Sequence, residues 1–289
     1  MKLKKDLKGE DFMKVGYVVL YEDGELVISK EHTILQKLIY QDYGEFEDTK
    51  VPWKRAYEKI KTVQILNQVK SNDMNSWFIR CKNLTALIDF QNIDVSNCEN
   101  FSYLFNCCVS LNNISTISNW NVSSGKFFSS MFSCCKSLIN ISALATWDVS
   151  NAINFRHMFL KCESLKDISS LQNWNVSNGK NFHSMFEFCK KLLDVSALAN
   201  WSVSNGEDFT NMFKSCKSLI NINMKNWKMS NGQYFTEMIC NCICLKKIQL
   251  PNTLKSLNEN MFTSCNTNLK IYWQGKIYTY DDLLEYETF

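Results

Sequence analysis

A cysteine recurs every 27 residues through the middle of this chain, at Cys108, Cys135, Cys162, Cys189 and Cys216, each inside the pattern F-x-x-[ML]-F-x-x-C-x-x-L. Cys81 opens the series at the same interval, and Cys242 and Cys265 close it at intervals of 26 and 23. A fixed period of this length is the signature of stacked repeats, none of which can bury its apolar residues alone. Eight of the thirteen cysteines thus hold one repeat position, where cysteine serves as a small buried hydrophobe rather than as half of a disulfide framework.

Within a unit, Phe128, Met131, Phe132 and Cys135 stand at i, i+3, i+4 and i+7, a spacing that predicts one face of a two-turn helix. A helix this short gains its stability only by stacking on its neighbours. After the cysteine the period changes. Leu138, Ile141 and Leu144 lead to Trp147, and the β-branched centre predicts a very short strand, with Ile114, Ile141, Ile168, Val195 and Ile222 side by side in a parallel ladder. Trp120, Trp147, Trp174, Trp201 and Trp227 form a further column leading into x-[VM]-S-[NS]. That segment reads as a corner where Ser or Asn caps the next helix, with Gly125, Gly179, Gly206 and Gly232 relaxing the backbone beyond.

The expected architecture is an α/β repeat solenoid, a leucine-rich-repeat-like right-handed coil of about eight turns, each a short parallel strand plus a short helix. Its ends differ from its middle. Residues 1–73 carry no repeat and read as an N-terminal cap: strands flank Glu22-Asp23-Gly24 in a hairpin, and a helix is expected over Thr33–Tyr40. Residues 74–245 form the solenoid, and 246–289 a shortened last turn, a closing hairpin from Ile271-Tyr272-Trp273 and Ile277-Tyr278, and an acidic tail from Asp281.

The unit W-D/N-V-S-N-x-x-x-F-x-x-M-F-x-x-C-x-x-L resembles the repeat of BspA-like leucine-rich-repeat proteins. The likeness runs from about Trp77 to Cys265, and the flanks Val19-Leu20-Tyr21-Glu22-Asp23-Gly24 and Tyr278-Thr279-Tyr280-Asp281-Asp282-Leu283 are similar to that family's own. The resemblance implies a non-enzymatic solenoid used for adhesion or protein binding, at a cell surface or on a virion. Displayed members have an export signal, whereas the basic start Met1–Phe12 lacks a following apolar core. That start and the thiols expected to stay free point instead to the cytoplasm, and to an intracellular or phage-encoded module that binds a host or bacterial protein.

Candidate chemistry is sparse. Cys240-Asn241-Cys242-Ile243-Cys244 is the best metal candidate, but Cys242 belongs to the repeat core and no histidine lies near it in sequence, so no metal is assigned. One turn of separation leaves a Cys107–Cys134 disulfide geometrically open, and free thiols are the expectation. His32, His157 and His183, the only histidines, form no triad or Cys–His pair, and no phosphate loop is present. Neither a catalytic residue nor a cofactor is therefore expected. The sequons at Asn113, Asn140 and Asn175 follow from the repeat consensus. Lys54, Arg55, Lys59 and Lys61 with Trp53 and Tyr57 could mimic a nucleic-acid patch, but a net charge of +3 argues against nucleic acid. No apolar run approaches the roughly 20 residues of a membrane span.

The strand face remains. Alternation about the inward Ile and Val column turns two polar columns outward. One is Asn113, Asn140, Asp167, Asp194, Asn221 and Lys247; the other is Ser115, Ser142, Ser169, Ser196, Asn223 and Gln249. These either solvate the sheet or bind a protein or other macromolecule. One position earlier, Asn112, Ile139, Lys166, Leu193, Ile220 and Lys246 vary more and could tune the choice of partner.

Overall fold

The structure, a computed structural model, describes residues 14–279 and 282, apart from residues 34, 38, 48, 230 and 258. The basic start and nearly all of the acidic tail lie outside the described residues. The chain coils into a β-solenoid of about nine turns, one more than its cysteines suggest. One apolar core runs unbroken from Val15 to Tyr278.

At the N-terminal end β1 (Lys14–Tyr21) and β2 (Glu25–Ser29) pair antiparallel, turning through Gly24 at φ +93°. Of the segment 33–40, where a helix is expected over Thr33–Tyr40, residues 34 and 38 lie outside the described residues and the others are not helical: residues 39 and 40 already belong to β3 (Ile39–Glu47), which pairs antiparallel with β1. A helix this short is marginal by itself, and the end of the segment is taken by the register of Ile39 with Tyr21 on the edge of β1. From β2 the ladder turns parallel, through β4 (Thr62–Ile65) to β6 (Ala86–Ile88). Beside it β5 (Val69–Lys70) pairs with β7 (Ile93–Asp94). At the far end β8 (Asn221–Asn223), β9 (Lys247–Gln249) and β10 (Lys270–Trp273) run parallel, and β11 (Lys276–Tyr278) folds back on β10.

The middle turns depart from expectation in two ways. Ile114, Ile141, Ile168 and Val195 are not in strands; each precedes a 3-10 turn, Ser115–Ile117, Ser142–Leu144, Ser169–Leu171 or Ser196–Leu198. Ile222 alone of that column lies in a strand, β8. The repeat helix is also absent. The F-x-x-M-F-x-x-C stripe is built from successive β-turns, closed by Met131 N–H to Phe128 O at 3.3 Å and Cys135 N–H to Phe132 O at 3.1 Å. The intervening amides point along the solenoid axis: those of Phe128, Ser130, Phe132 and Cys134 donate to Asn154, Arg156, Met158 and Leu160 of the next turn.

Two four-residue turns in series place their first and last residues inward, which is again i, i+3, i+4 and i+7. Helix and turn pair therefore share one hydrophobic spacing, and the backbone amides decide between them. Sharing amides between turns couples every unit to its neighbours, which a self-contained helix would not do. The turns require positive φ at their third residues, and the column Tyr103, Ser130, His157, Ser184, Asn211 meets it with φ between 53° and 59° without a glycine.

Inside, identical residues stack on one another. Phe105, Phe132, Phe159, Phe186 and Phe213 lie with ring centroids 5.5 to 5.8 Å apart. The repeat cysteines are more than fillers: Cys135 S–H donates to Phe105 O at 3.2 Å and Cys162 S–H to Phe132 O at 3.1 Å, and the pattern continues to Cys242. Trp147, Trp174 and Trp201 likewise donate Nε1–H to Ile117, Leu144 and Leu171 carbonyls of the preceding turn. The repeat glycines serve close approach rather than backbone freedom, since a Cβ on Gly179 would stand 2.6 Å from the Phe182 ring.

Candidate binding face

The six positions of each outward column follow the turns from residue 113 to residue 249. Asn113, Asn140, Asp167, Asp194, Asn221 and Lys247 are exposed, as are Ser115, Ser142, Ser169, Ser196 and Asn223; Gln249 is half-buried. These residues also shape the backbone. Asn113, Asn140, Asp167 and Asp194 accept the amide two residues on through Oδ1, at 2.7 to 2.9 Å, which opens each 3-10 turn. In addition, Asp167 and Asp194 accept the hydroxyls of Ser169 and Ser196 through Oδ2, at 2.8 and 2.5 Å. Asn221 and Lys247 lie instead in β8 and β9. Polarity at these positions thus has a local structural use, and their chemistry toward a partner is what the turns leave over.

The preceding column is exposed throughout, and it carries apolar side chains that no local bond explains. Ile139, Leu193 and Ile220 are 54%, 52% and 42% exposed. Lys166 separates the first from the second.

Other faces are knit across turns. Lys126–Glu99, Lys190–Glu163 and Lys180–Glu207 pair at 2.7, 2.9 and 3.3 Å, each contributing about 0 to 1 kcal/mol at such exposure. Asn151, Asn178 and Asn205 donate Nδ2–H to Ser123, Ser150 and Ser177 carbonyls. His157 and His183 meet edge to face with centroids 5.1 Å apart, and His183 Nδ1 lies 3.5 Å from Asp208. Burial, with Arg156 and His183 adding to it, lowers His157 to about 4. His32 bonds Asp42 at 2.6 Å, far from both.

In the C-x-C-x-C segment, Cys240 and Cys242 are buried while Cys244 is exposed, and the Cys242 thiol is engaged by Phe213 O. Among the described residues no group of three or more His, Cys, Asp or Glu is placed to hold a metal, and no helix is long and apolar enough to cross a membrane. Trp53 and Tyr57 face inward, donating to Trp77 O and Ser76 O, so neither offers a ring to a nucleobase. All thirteen cysteines are free.

The repeat matches, over residues 51–168 and again over 136–252, a family described as Mycoplasma protein of unknown function, DUF285. The chain belongs to this family. The two DUF285 matches overlap within the middle turns, as a periodic sequence allows. No curated protein matches the DUF285 chain. Among solved structures it is similar to a leucine rich cell surface protein from Faecalibacterium prausnitzii A2-165, at 14% identity and TM-score 0.32, covering 91% of this chain and 95% of that one. A leucine-rich repeat protein from Bacteroides ovatus ATCC 8483 follows at 13% identity and TM-score 0.25, covering 91% and 100%. Neither superposition is tight enough to carry a conclusion about this DUF285 protein.

Sequence reasoning missed two features here: the structural duty of the Asx side chains and the column of positive φ. The first was present in the recurrent [ND]-[IV]-S. The second has no usable signal, because Tyr103 and Cys107 as well as Ser130 and Asn211 adopt it.

Proposed function

We propose that the chain is a non-enzymatic repeat protein that binds a protein partner along the face formed by the Asn/Asp, Ser and preceding columns. The observation that carries this reading is the exposed run of Ile139, Leu193 and Ile220 beside ordered polar columns. Apolar side chains on a rigid face supply desolvation energy, and the surrounding amides and carboxylates supply specificity. No turnover or cofactor belongs to the proposal. Its finer form is the adhesin-like role implied by the BspA-like repeat, with the partner presented at a surface; fractionation of the native source distinguishes that from an intracellular role.

The test is affinity capture of a partner from the native source, followed by dissociation constants for three proteins. Ile139→Ser/Leu193→Ser/Ile220→Ser is expected to weaken binding about tenfold or more, at about 1.4 kcal/mol per decade. Asp167→Asn/Asp194→Asn keeps the Oδ1 acceptors that open the turns, and isolates the contribution of charge. Unchanged affinity in both variants, with unchanged circular dichroism, would move the site off this face.

A further inference from the structure

Cys107 and Cys134 stand apart from the eight repeat cysteines. They belong to the neighbouring column Arg80, Cys107, Cys134, Lys161, Phe188, in which φ is 62°, 61°, 60°, 57° and 59°. Cys107 N–H donates to Ser133 O at 2.7 Å, and Cys134 N–H to Leu160 O at 2.6 Å, so the two residues occupy adjacent rungs. Parallel rungs are about 5 Å apart, within the Cα range of about 4.4 to 6.8 Å that a disulfide spans. Equal backbone angles on adjacent rungs send both side chains off the ladder in the same direction. Both residues are half-buried.

The repeat column has the same rung spacing and opposite chemistry. Cys108, Cys135, Cys162, Cys189 and Cys216 are buried, each S–H is held by a carbonyl of the preceding turn, and burial pushes their thiols up. Sulfur reacts as the thiolate and only where a reagent reaches it. At the outer pair the neighbouring Cys107 thiol lowers Cys134, helped by the Ser133 hydroxyl, Lys161 and Lys136, while Cys134 and burial raise Cys107. The surroundings therefore favour one thiolate in the pair, beside one protonated thiol on the adjacent rung.

We propose that Cys107 and Cys134 form a hydroperoxide-reactive dithiol that closes to a disulfide between adjacent turns. The Cys134 thiolate attacks the terminal peroxide oxygen; the S–O bond forms, the O–O bond breaks, and the departing oxyanion takes a proton. Cys107, losing its proton, then attacks the Cys134 sulfur, and the S–O bond breaks with release of water. Two thiols and one hydroperoxide give one disulfide, one water and one alcohol, or a second water from hydrogen peroxide. The two sulfurs supply both electrons. Cationic Lys161 and Lys136 favour the thiolate, and the half-buried setting admits a small oxidant to two cysteines on adjacent rungs. The pair lies outside the Ile139, Leu193 and Ile220 run, so this proposal stands independently of partner binding.

The experiment uses the full chain with Cys244→Ser, because Cys244 is exposed and would compete for oxidant. The reduced protein is treated with one equivalent of hydrogen peroxide at pH 7, and thiols are counted after denaturation. The expected result is loss of two thiols per chain and a Cys107–Cys134 disulfide in the peptide map. With Cys107→Ser, dimedone should trap a sulfenic acid at Cys134; with Cys134→Ser, oxidation at Cys107 should slow at least tenfold. Circular dichroism verifies the fold of each variant. The proposal is overturned if a protein lacking both thiols consumes peroxide as fast, or if the disulfide found joins other cysteines.

Discussion

From Val195 to Trp201 the chain takes six steps, and from Ile222 to Trp227 it takes five. The longer path opens at once into a 3-10 turn, Ser196–Leu198, whereas the shorter one stays in β8 to Asn223 and turns only afterwards, closed by Trp227 N–H to Met224 O at 2.9 Å. The residue at the head of each path is β-branched, so strand propensity does not separate middle from end. Length does. With six steps the surplus residue is taken up by a turn that the Asp194 side chain opens; with five, Ile222 and Asn223 stay extended and pair with β9 before the chain turns. Parallel bridges also link residues 73, 100, 127, 154, 181, 208 and 234, and these serve end and middle turns alike. The ends therefore add strand pairing to the interlocked turns, and the middle relies on the turns and bridges.

The largest test of this contrast is in the core. Phe159 lies between Phe132 and Phe186, at 5.8 and 5.5 Å, and its removal leaves a gap that two fixed neighbours cannot close. Phe159→Ala is expected to cost about 3–5 kcal/mol in urea unfolding. Phe235, toward the C-terminal end, is only partly buried and stacks on Phe209 at 5.6 Å, so Phe235→Ala should cost about half as much. Equal losses would show that end and middle turns do not differ in packing.

Next comes the indole column. Trp174→Phe keeps most of the ring but removes the Nε1–H bond to Leu144 O, at 2.8 Å, and should cost about 1–3 kcal/mol by thermal or urea unfolding. A variant as stable as the parent would reduce the tryptophan column to packing alone.

The middle is also expected to be acid-sensitive through His157. The unfolded chain takes up a proton near pH 6.5, whereas the folded one takes it up only near 4. Its contribution is thus fully present above pH 6.5 and is lost as pH falls toward 4. Half-burial reduces the effect to about 1–2 kcal/mol. His157→Gln should flatten the pH profile of stability between those limits, and an unaltered profile would exclude this histidine as its source.

The smallest effect lies at the turn itself. Asp194→Ala should cost about 0.5–1 kcal/mol, by loss of the acceptor for Ser196 N–H, while Asp194→Asn should be nearly neutral. Deleting Ala199 reduces the path to five steps and is expected to convert 195–197 to strand, visible as slower amide exchange there. Unchanged exchange would refute the length argument.

Much of the inside and outside was legible because columns are a property of spacing alone. Ile114, Ile141 and Trp147 had to face inward and Asn140 and Ser142 outward whatever the local backbone. The hairpin at Glu22-Asp23-Gly24 was legible for a local reason, a glycine needed at positive φ. The backbone between columns was not. Phe128, Met131, Phe132 and Cys135 satisfy a helix and a pair of β-turns equally, and backbone amides bonded to the next turn, such as that of Ser130 to Arg156, separate them. That bond joins residues whose sequence gives no sign of pairing. The exposed Ile139, Leu193 and Ile220 column was placed beside the candidate face by counting, but its solvent exposure depended on the turn geometry. The strand at Ile39 and Tyr40 rested on β1 offering an open edge, a tertiary circumstance.

Because Phe132, Phe159 and Phe186 stack on copies of themselves, and each cysteine and tryptophan bonds the equivalent carbonyl one turn back, the interface after one middle turn is interchangeable with the interface after the next. A gene encoding such a protein can lose or duplicate a whole 27-residue unit by unequal crossing-over, and the junction reseals with every interior contact intact. Length then becomes a heritable variable separable from fold, and descendants of one ancestral chain can differ in reach while keeping the same ends.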